Sequence, residues 1–341
     1  MHFCAVLFYG MVDEMKKEMK MRLRTSSLIE PHHRVVEALE KNHPGLMHVL
    51  EPLGEKVEQF FKNRLHMDTE RLEEFVHPLE DYLLISKRFP IFVVADGVTL
   101  ELNPDGTYPV PSGAADVARI FCEEFIRAAE TEYEHASEEI LHEAFRAGNA
   151  AVGQFNESQG RTKKSINYWD HDLFAATTAF AAVQDDQVFW ASLCDAFVAQ
   201  IDGKGNVMFK SPECWPLSRR RKYLPADWQA HPEDERKKTI RRVYRNGINE
   251  QGELIGYGVV TGEEAAERYV NYGSFVLAPG ECAAFVTDGF EQYLNLPEFR
   301  AIFVEWPDDL ETRVLQFTRQ KAREDPKNFG HERSLIVITS G

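Results

Sequence analysis

The sequence predicts an α+β fold in which antiparallel sheets carry helix pairs on their outer faces. Three observations point there. Apolar, strand-like runs and long amphipathic helical stretches come in blocks, not in strict alternation, which argues against a doubly wound βαβ sheet. The breaks "DDQ" and "DGKG" between apolar runs are hairpin signals, the connection that antiparallel neighbours use. The chain has 341 residues, 43% of them apolar, enough for one or two substantial cores.

Residues 1–75 are expected to form a helical N-terminal extension. "DEMKKEMKMRLR" favours helix, and "EPHHRVVEALEKN" and "GLMHVLEPLGEKVEQFFKNRLH" repeat apolar residues at helical spacing. His32 and His33 are sequence neighbours and do not share a helix face, so they read as a solvated helix start. A second unit, 76–341, follows. "DYLLIS" and "IFVVADG" predict adjacent strands joined through "KRFP". Helices are expected over about Ala114–Glu134 and Ser137–Asn156, the second opened by Ser137 as N-cap with acids in its first turn. Between 172 and 210, "DLFAATTAFAAVQ", "QVFWASLCDAFVAQID" and "NVMFK" read as strands. Residues 213–250 carry the basic patches "SRRRKY" and "DERKKTIRRVYR" and read as an insertion or flap with some helix. "FVLAPGECAAFVTDGF" predicts two strands around Pro279-Gly280, then come a helix and the terminal strand "ERSLIVITS".

The formal net charge is −16. Neutralising phosphates needs an excess of Lys and Arg, so nucleic-acid binding is not expected. Five scattered cysteines without a CxxC pair suit a reducing compartment and argue against a disulfide framework. No apolar stretch has the length of a membrane span, and the start lacks the basic n-region of a signal peptide. A cytoplasmic protein is expected.

Carboxylates carry the chemistry. "IFVVADGV" and "CAAFVTDGF" both place Asp-Gly after an apolar run, at Asp96-Gly97 and Asp288-Gly289. Taken alone, each reads as a hairpin turn. Asp195 closes "FWASLCD" in the same way, and Glu80-Asp81 directly precedes "YLLIS". Several carboxylates at strand ends suit a hard divalent cation, which takes oxygen ligands. The glycine after each Asp lets the backbone approach closely.

In this order the motifs resemble those of the metal-dependent Ser/Thr protein phosphatases of type 2C, in their bacterial branch. "LEDYLLI", "FVVADGV", "ATTAFAAV", "SLCDAFV" and "FVTDGF" carry the resemblance, which runs from about residue 78 to the C-terminus. It implies a four-layer αββα sandwich and a centre for two Mn2+ or Mg2+ ions between the sheets. Asp96 would bridge both ions, with Gly97 lending its carbonyl. Asp288 would bind the first, and Glu80 and Asp81 would hold the second or its waters. Asp195 matches a third, weaker metal site. The implied reaction is attack of a metal-activated water on phosphoserine or phosphothreonine in a protein substrate.

Two departures keep an alternative open. Val76 and His77 stand where the family has a phosphate-binding Arg, so no substrate-binding residue is assigned; Arg71 or a flap Arg could substitute. "GHERSLIVI" puts His331 where a metal-binding Asp is expected, with Glu332 beside it, and either could ligate. The alternative is a catalytically weak or inactive relative that binds phosphoproteins. Cys194 reads as a packed small residue, and Trp169-Asp170-His171-Asp172 as a loop entering a strand.

Overall fold

The computed structural model describes residues 23–30, 78–98, 109, 111–131, 133, 135–168 and 171–340. Among the described residues, ten strands build two antiparallel sheets. The first holds β1 (Leu23–Glu30), β6 (Phe197–Ile201), β7 (Val207–Lys210), β9 (Cys282–Val286) and β10 (Arg333–Ser340), in the order β1-β10-β9-β6-β7. The second runs β2 (Tyr82–Ile85), β3 (Ile91–Val98), β4 (Ala175–Gln184), β5 (Gln187–Leu193) and β8 (Asn271–Val276), in that order.

Period-2 alternation sorts each strand's side chains into two layers. In β3, Ile91, Val93 and Ala95 join the core beneath α1 (Gly113–Thr131) and α2 (Glu138–Ser158), while Phe92 and Val94 point between the sheets. In β10, Leu335 and Val337 face the C-terminal helices, and Ile336 and Ile338 face inward. The inter-sheet layer includes Leu83, Ala179, Ala181, Val198 and Phe285. On the second sheet's outer face, Phe121, Phe125, Phe145 and Phe180 are wholly buried, each contributing about 1.5–3 kcal/mol on burial. Ser137 caps α2 by accepting from the Ile140 amide at 3.3 Å, as its sequence signal predicts. On the other sheet, α5 (Glu291–Leu294), α6 (Pro297–Glu305), α7 (Leu310–Glu324) and α8 (Pro326–Phe329) complete the fourth layer. The expected αββα sandwich is the observed fold.

Three local expectations need correction. Asp96-Gly97 is not a hairpin turn, because both residues stay within β3, paired opposite Thr177 and Ala176 of β4. "QVFWASLCDAFVAQID" is not one strand: at Cys194 the backbone turns left-handed (φ 65) and the chain crosses from β5 to β6 in the other sheet. Leu23–Glu30, read as part of a helical extension, is a strand paired along its length with β10. An edge partner for β10 has outweighed local helix propensity there. The remaining calls on 1–75, with His32, His33 and Arg71, fall outside the described residues, as do Val76 and His77.

Residues 211–270 leave the first sheet after β7 and enter the second at β8. They include α3 (Leu217–Tyr223), α4 (Glu233–Thr239) and a π-helical turn, Ile240–Tyr244. Among the described residues, no helix is long and apolar enough to cross a membrane.

Candidate metal centre

Alternation decides which acids meet. Asp96 has the parity of Phe92 and Val94, so β3 aims it between the sheets at the strand's end. Asp81 shares the parity of Leu83 and Ile85. Glu332 shares that of Ser334, Ile336 and Ile338, whereas His331 has the opposite one. Glu332 is 6% exposed, and its Oε1 accepts from the amides of Glu80 at 2.7 Å and Asp81 at 2.5 Å. The start of β10 thereby clips the start of β2. His331 is exposed, its Nε2 2.9 Å from the Lys327 carbonyl oxygen. Glu80, of helix-side parity, accepts from the Ser112 hydroxyl just ahead of α1.

The electrostatics are those of gathered like charges. Burial pushes the Asp96 carboxyl well above the carboxylate range, and Asp81, Asp288, Asp195 and Glu332 add to the effect by repulsion. Burial, then Glu332, raises Asp81 likewise, against a hydrogen bond donated by the Thr287 hydroxyl at 2.8 Å. Burial also raises Asp195. Asp288 follows β9 in a short 3-10 turn, Asp288–Phe290. It is exposed, yet the protein packed around its carboxyl desolvates it. That enclosure, with Asp195 nearby, pushes its carboxyl up to about 7.

Do these donors suit a divalent cation? All are oxygen donors, as Mg2+ and Mn2+ require. Among the described residues, Asp195 Oδ1 is buried with no hydrogen-bond partner. A group of that kind costs free energy until something positive meets it. Among the described residues no three His, Cys, Asp or Glu side chains already stand at coordination spacing. The fit therefore rests on donor chemistry, enclosure and the orphaned oxygen, and on those grounds it is good.

Both Asp-Gly glycines serve close approach of backbones. A Cβ on Gly97 would lie 2.4 Å from the Ala114 carbonyl oxygen, and one on Gly289 would lie 2.0 Å from that of Glu332. Neither obstacle is a flexible side-chain end. Gly289→Ala is expected to cost about 2–3 kcal/mol, since the start of β10 must shift. Chemical denaturation checks this; an unchanged midpoint would refute the packing argument.

Beside Asp195 opens a cavity of about 720 Å³, lined also by Cys194, Lys210, Ser211, Cys214, Trp215 and Arg220. Arg220 comes from the flap, where a phosphate-binding cation was sought. It lies 3.4 Å from Glu213, and Lys210 lies 2.7 Å from Glu291. Sequence reading missed several contributors: Ser112, Thr287, Lys210, and the Arg245–Asp172 ion pair. Asp172, 1% exposed, pairs with Arg245, which also lies 3.2 Å from Glu263. Asp172 thus anchors the flap and does not join the acid cluster.

No family model matches the chain, and no curated protein matches it in sequence. Solved structures do. PppA, described as a key regulatory component of T6SS in Pseudomonas aeruginosa, is 12% identical. The match covers 94% of this chain and 98% of that one, with a TM-score of 0.52. The catalytic domain of the serine/threonine phosphatase PstP, in complex with two manganese ions, is 11% identical over 94% of this chain and 99% of its own, at 0.52. A serine/threonine phosphatase from S. agalactiae is 9% identical over 94% and 100%, also at 0.52. The fold of this chain is that of the bacterial type 2C serine/threonine phosphatases.

Proposed function

We propose that a protein with this fold and this acid cluster is a metal-dependent phosphatase acting on phosphoserine or phosphothreonine in proteins. The convergence of Asp81, Asp96, Asp195, Asp288 and Glu332 carries the reading, because four of these acids act together on Asp96. The manganese found in PstP supports it. A pair of Mn2+ or Mg2+ ions held by Asp96, Asp288, Asp81 and Glu332 would stabilise charge on a phosphoryl group and activate a water. Asp96, on which all four other acids act, would be the shared donor, with the Gly97 carbonyl a further candidate. Glu80 and Ser112 fix the approach of β2 to α1. Asp195 is the candidate donor to a third, weaker ion. Arg220 and Lys210 are the cations available to a substrate phosphate on the cavity side. Glu332 supplies the carboxylate that His331 does not, which favours turnover over a merely binding role.

The test is hydrolysis of p-nitrophenyl phosphate and a phosphothreonine peptide with Mn2+, beside calorimetry of Mn2+ binding. Binding without hydrolysis of either ester would favour the phosphoprotein-binding alternative; full activity in Asp96→Ala would sink the proposal.

A pH dependence follows. The carboxyls of Asp81, Asp96, Asp195 and Asp288 have folded pKa values above their unfolded ones, so they contribute stability below about 4 that is lost as pH rises through the folded values, near 7 for Asp288. Without cations the protein should lose stability across that window, and a cation should restore it. At a hundredfold excess over Kd, Mn2+ is expected to stabilise by about 2.7 kcal/mol. The rise in Tm should be larger near pH 8 than near pH 5, where protons compete. Differential scanning fluorimetry with and without chelator reads it. An equal shift at both pH values would count against carboxylate ligation.

A further inference from the structure

Cys194 and Cys214 are far apart in sequence, yet the Cys214 Sγ lies 3.0 Å from the Cys194 Sγ, both as free thiols. A disulfide needs about 2.05 Å, so closing the pair takes roughly 1 Å of movement. The two sulfurs belong to different parts of the fold. Cys194 occupies the corner where the chain crosses from β5 to β6, immediately before Asp195. Cys214 lies at the root of the flap, with Arg219 Nη1 donating to its carbonyl oxygen at 3.2 Å. Next to it, Trp215 packs against Tyr244 and Tyr257, each with ring centroids 5.5 Å away. Both cysteines line the cavity beside Asp195.

The corner is a costly place for a cysteine. Cys194 holds φ at 65, a left-handed conformation that glycine adopts freely and other residues take at a cost of order 1–3 kcal/mol. Packing of a small residue does not require that side chain there, whereas a partner sulfur in contact gives it a chemical role.

We infer that Cys194 and Cys214 form a thiol–disulfide switch, in which a hydroperoxide of the peroxide class joins the flap root to the corner that carries Asp195. The half-buried Cys214 is the sulfur an oxidant reaches first. Its thiolate attacks the peroxide, the O–O bond breaks, and Cys214 becomes a sulfenic acid with release of one alcohol or water. Cys194 sulfur then attacks that sulfur, hydroxide leaves, takes up the Cys194 proton and departs as water. Two thiols are oxidised and one peroxide is reduced. Cys194 is buried beside Cys214 and takes the resolving role.

Closing the bridge draws the corner toward the flap root and moves Asp195 relative to Asp288, on whose carboxyl Asp195 acts more strongly than any other charge. A displacement of about 1 Å at a reacting site can cost up to about a hundredfold in rate. The bond itself rests on geometry alone; its effect on turnover rests on the proposed phosphatase reading.

The experiment oxidises the full chain with hydrogen peroxide, then measures intact mass, alkylation of remaining thiols, Mn2+ affinity and p-nitrophenyl phosphate turnover. The expected result is a mass lower by two hydrogens, Cys194 and Cys214 protected from alkylation, Mn2+ binding and turnover lowered about tenfold or more, and full recovery with dithiothreitol. Cys214→Ser should keep basal turnover and lose the response. Both thiols remaining alkylatable, or oxidation beyond sulfenic acid without a bridge, would overturn the switch. A bridge that leaves Mn2+ affinity and turnover unchanged would overturn the coupling to Asp195. A reduced protein without turnover would refute the phosphatase reading, while mass and Mn2+ affinity would still judge the switch.

Discussion

Asp96→Asn is expected to lower phosphatase turnover by about a thousandfold and to raise the melting temperature in chelator. The first effect follows from position. Asp96 lies in the inward-facing row of β3 and feels four other acids, so on the proposed reading it would be the donor common to a pair of cations bound there. Losing one preorganised electrostatic contact in a reaction centre costs about 10²–10³ in rate. The second effect follows from burial. In the cation-free protein the Asp96 carboxyl is raised by desolvation and then by Asp81, Asp288, Asp195 and Glu332. An amide of the same shape removes that repulsion. The sign is pH-dependent: a group with a raised folded pKa costs stability only once pH climbs through that range, so the gain should vanish at low pH. With excess Mn2+ the order reverses, since only the wild type gains fully from the ion. Thermal scans at acid and neutral pH, with chelator and with Mn2+, test all of this. A variant that is both inactive and less stable in chelator would mark Asp96 as a structural residue instead.

How much of this could be read from the chain alone is clearest at His331 and Glu332. Motif spacing pointed to His331 and left the pair undecided. Counting by twos along "ERSLIVITS" separates them, because Glu332 has the parity of Ser334, Ile336 and Ile338, which face inward, and His331 the opposite one. The same count puts Asp81 and Asp96 between the sheets. The layered architecture was legible because blocks of strand and helix pattern carry their own periods. The two Asp-Gly pairs were found but misread locally: Gly97 continues β3 and exists for a close approach to Ala114, not for a turn. The corner at Cys194 was hidden in a strand-like stretch, since nothing in "ASLCDAF" announces a left-handed residue. Strand β1 was hidden by helix-favouring neighbours, and only its long-range partner β10 identifies it. Long-range pairs such as Cys194–Cys214 and Asp172–Arg245 leave no local periodicity at all.

Asp172→Ala is expected to cost about 3 kcal/mol and to separate the flap from the centre. Arg245 is 3% exposed and Asp172 is 1% exposed. Burial outweighs the attraction of Arg245 at the Asp172 carboxyl, which is raised, while Asp172 and Glu263 outweigh burial at Arg245, which is raised too. The intact pair therefore adds modest stability, but removing one partner leaves a buried guanidinium with Glu263, 3.2 Å away, as its remaining acidic partner among the described residues. At about 2–4 °C per kcal/mol the loss corresponds to a Tm lower by roughly 6–12 °C. Because Asp172 binds the flap and stands outside the acid cluster, the Mn2+-induced rise in Tm should persist. Turnover of p-nitrophenyl phosphate should stay within about threefold, while kcat/KM for a phosphothreonine peptide should fall about tenfold, since the cavity wall with Trp215 and Arg220 is no longer held. Equal losses on both substrates would place the flap in the chemistry itself and not in substrate recognition. An unchanged Tm would mean that Glu263 alone suffices to hold Arg245, and that the flap is anchored by its aromatic contacts around Trp215 and Tyr244.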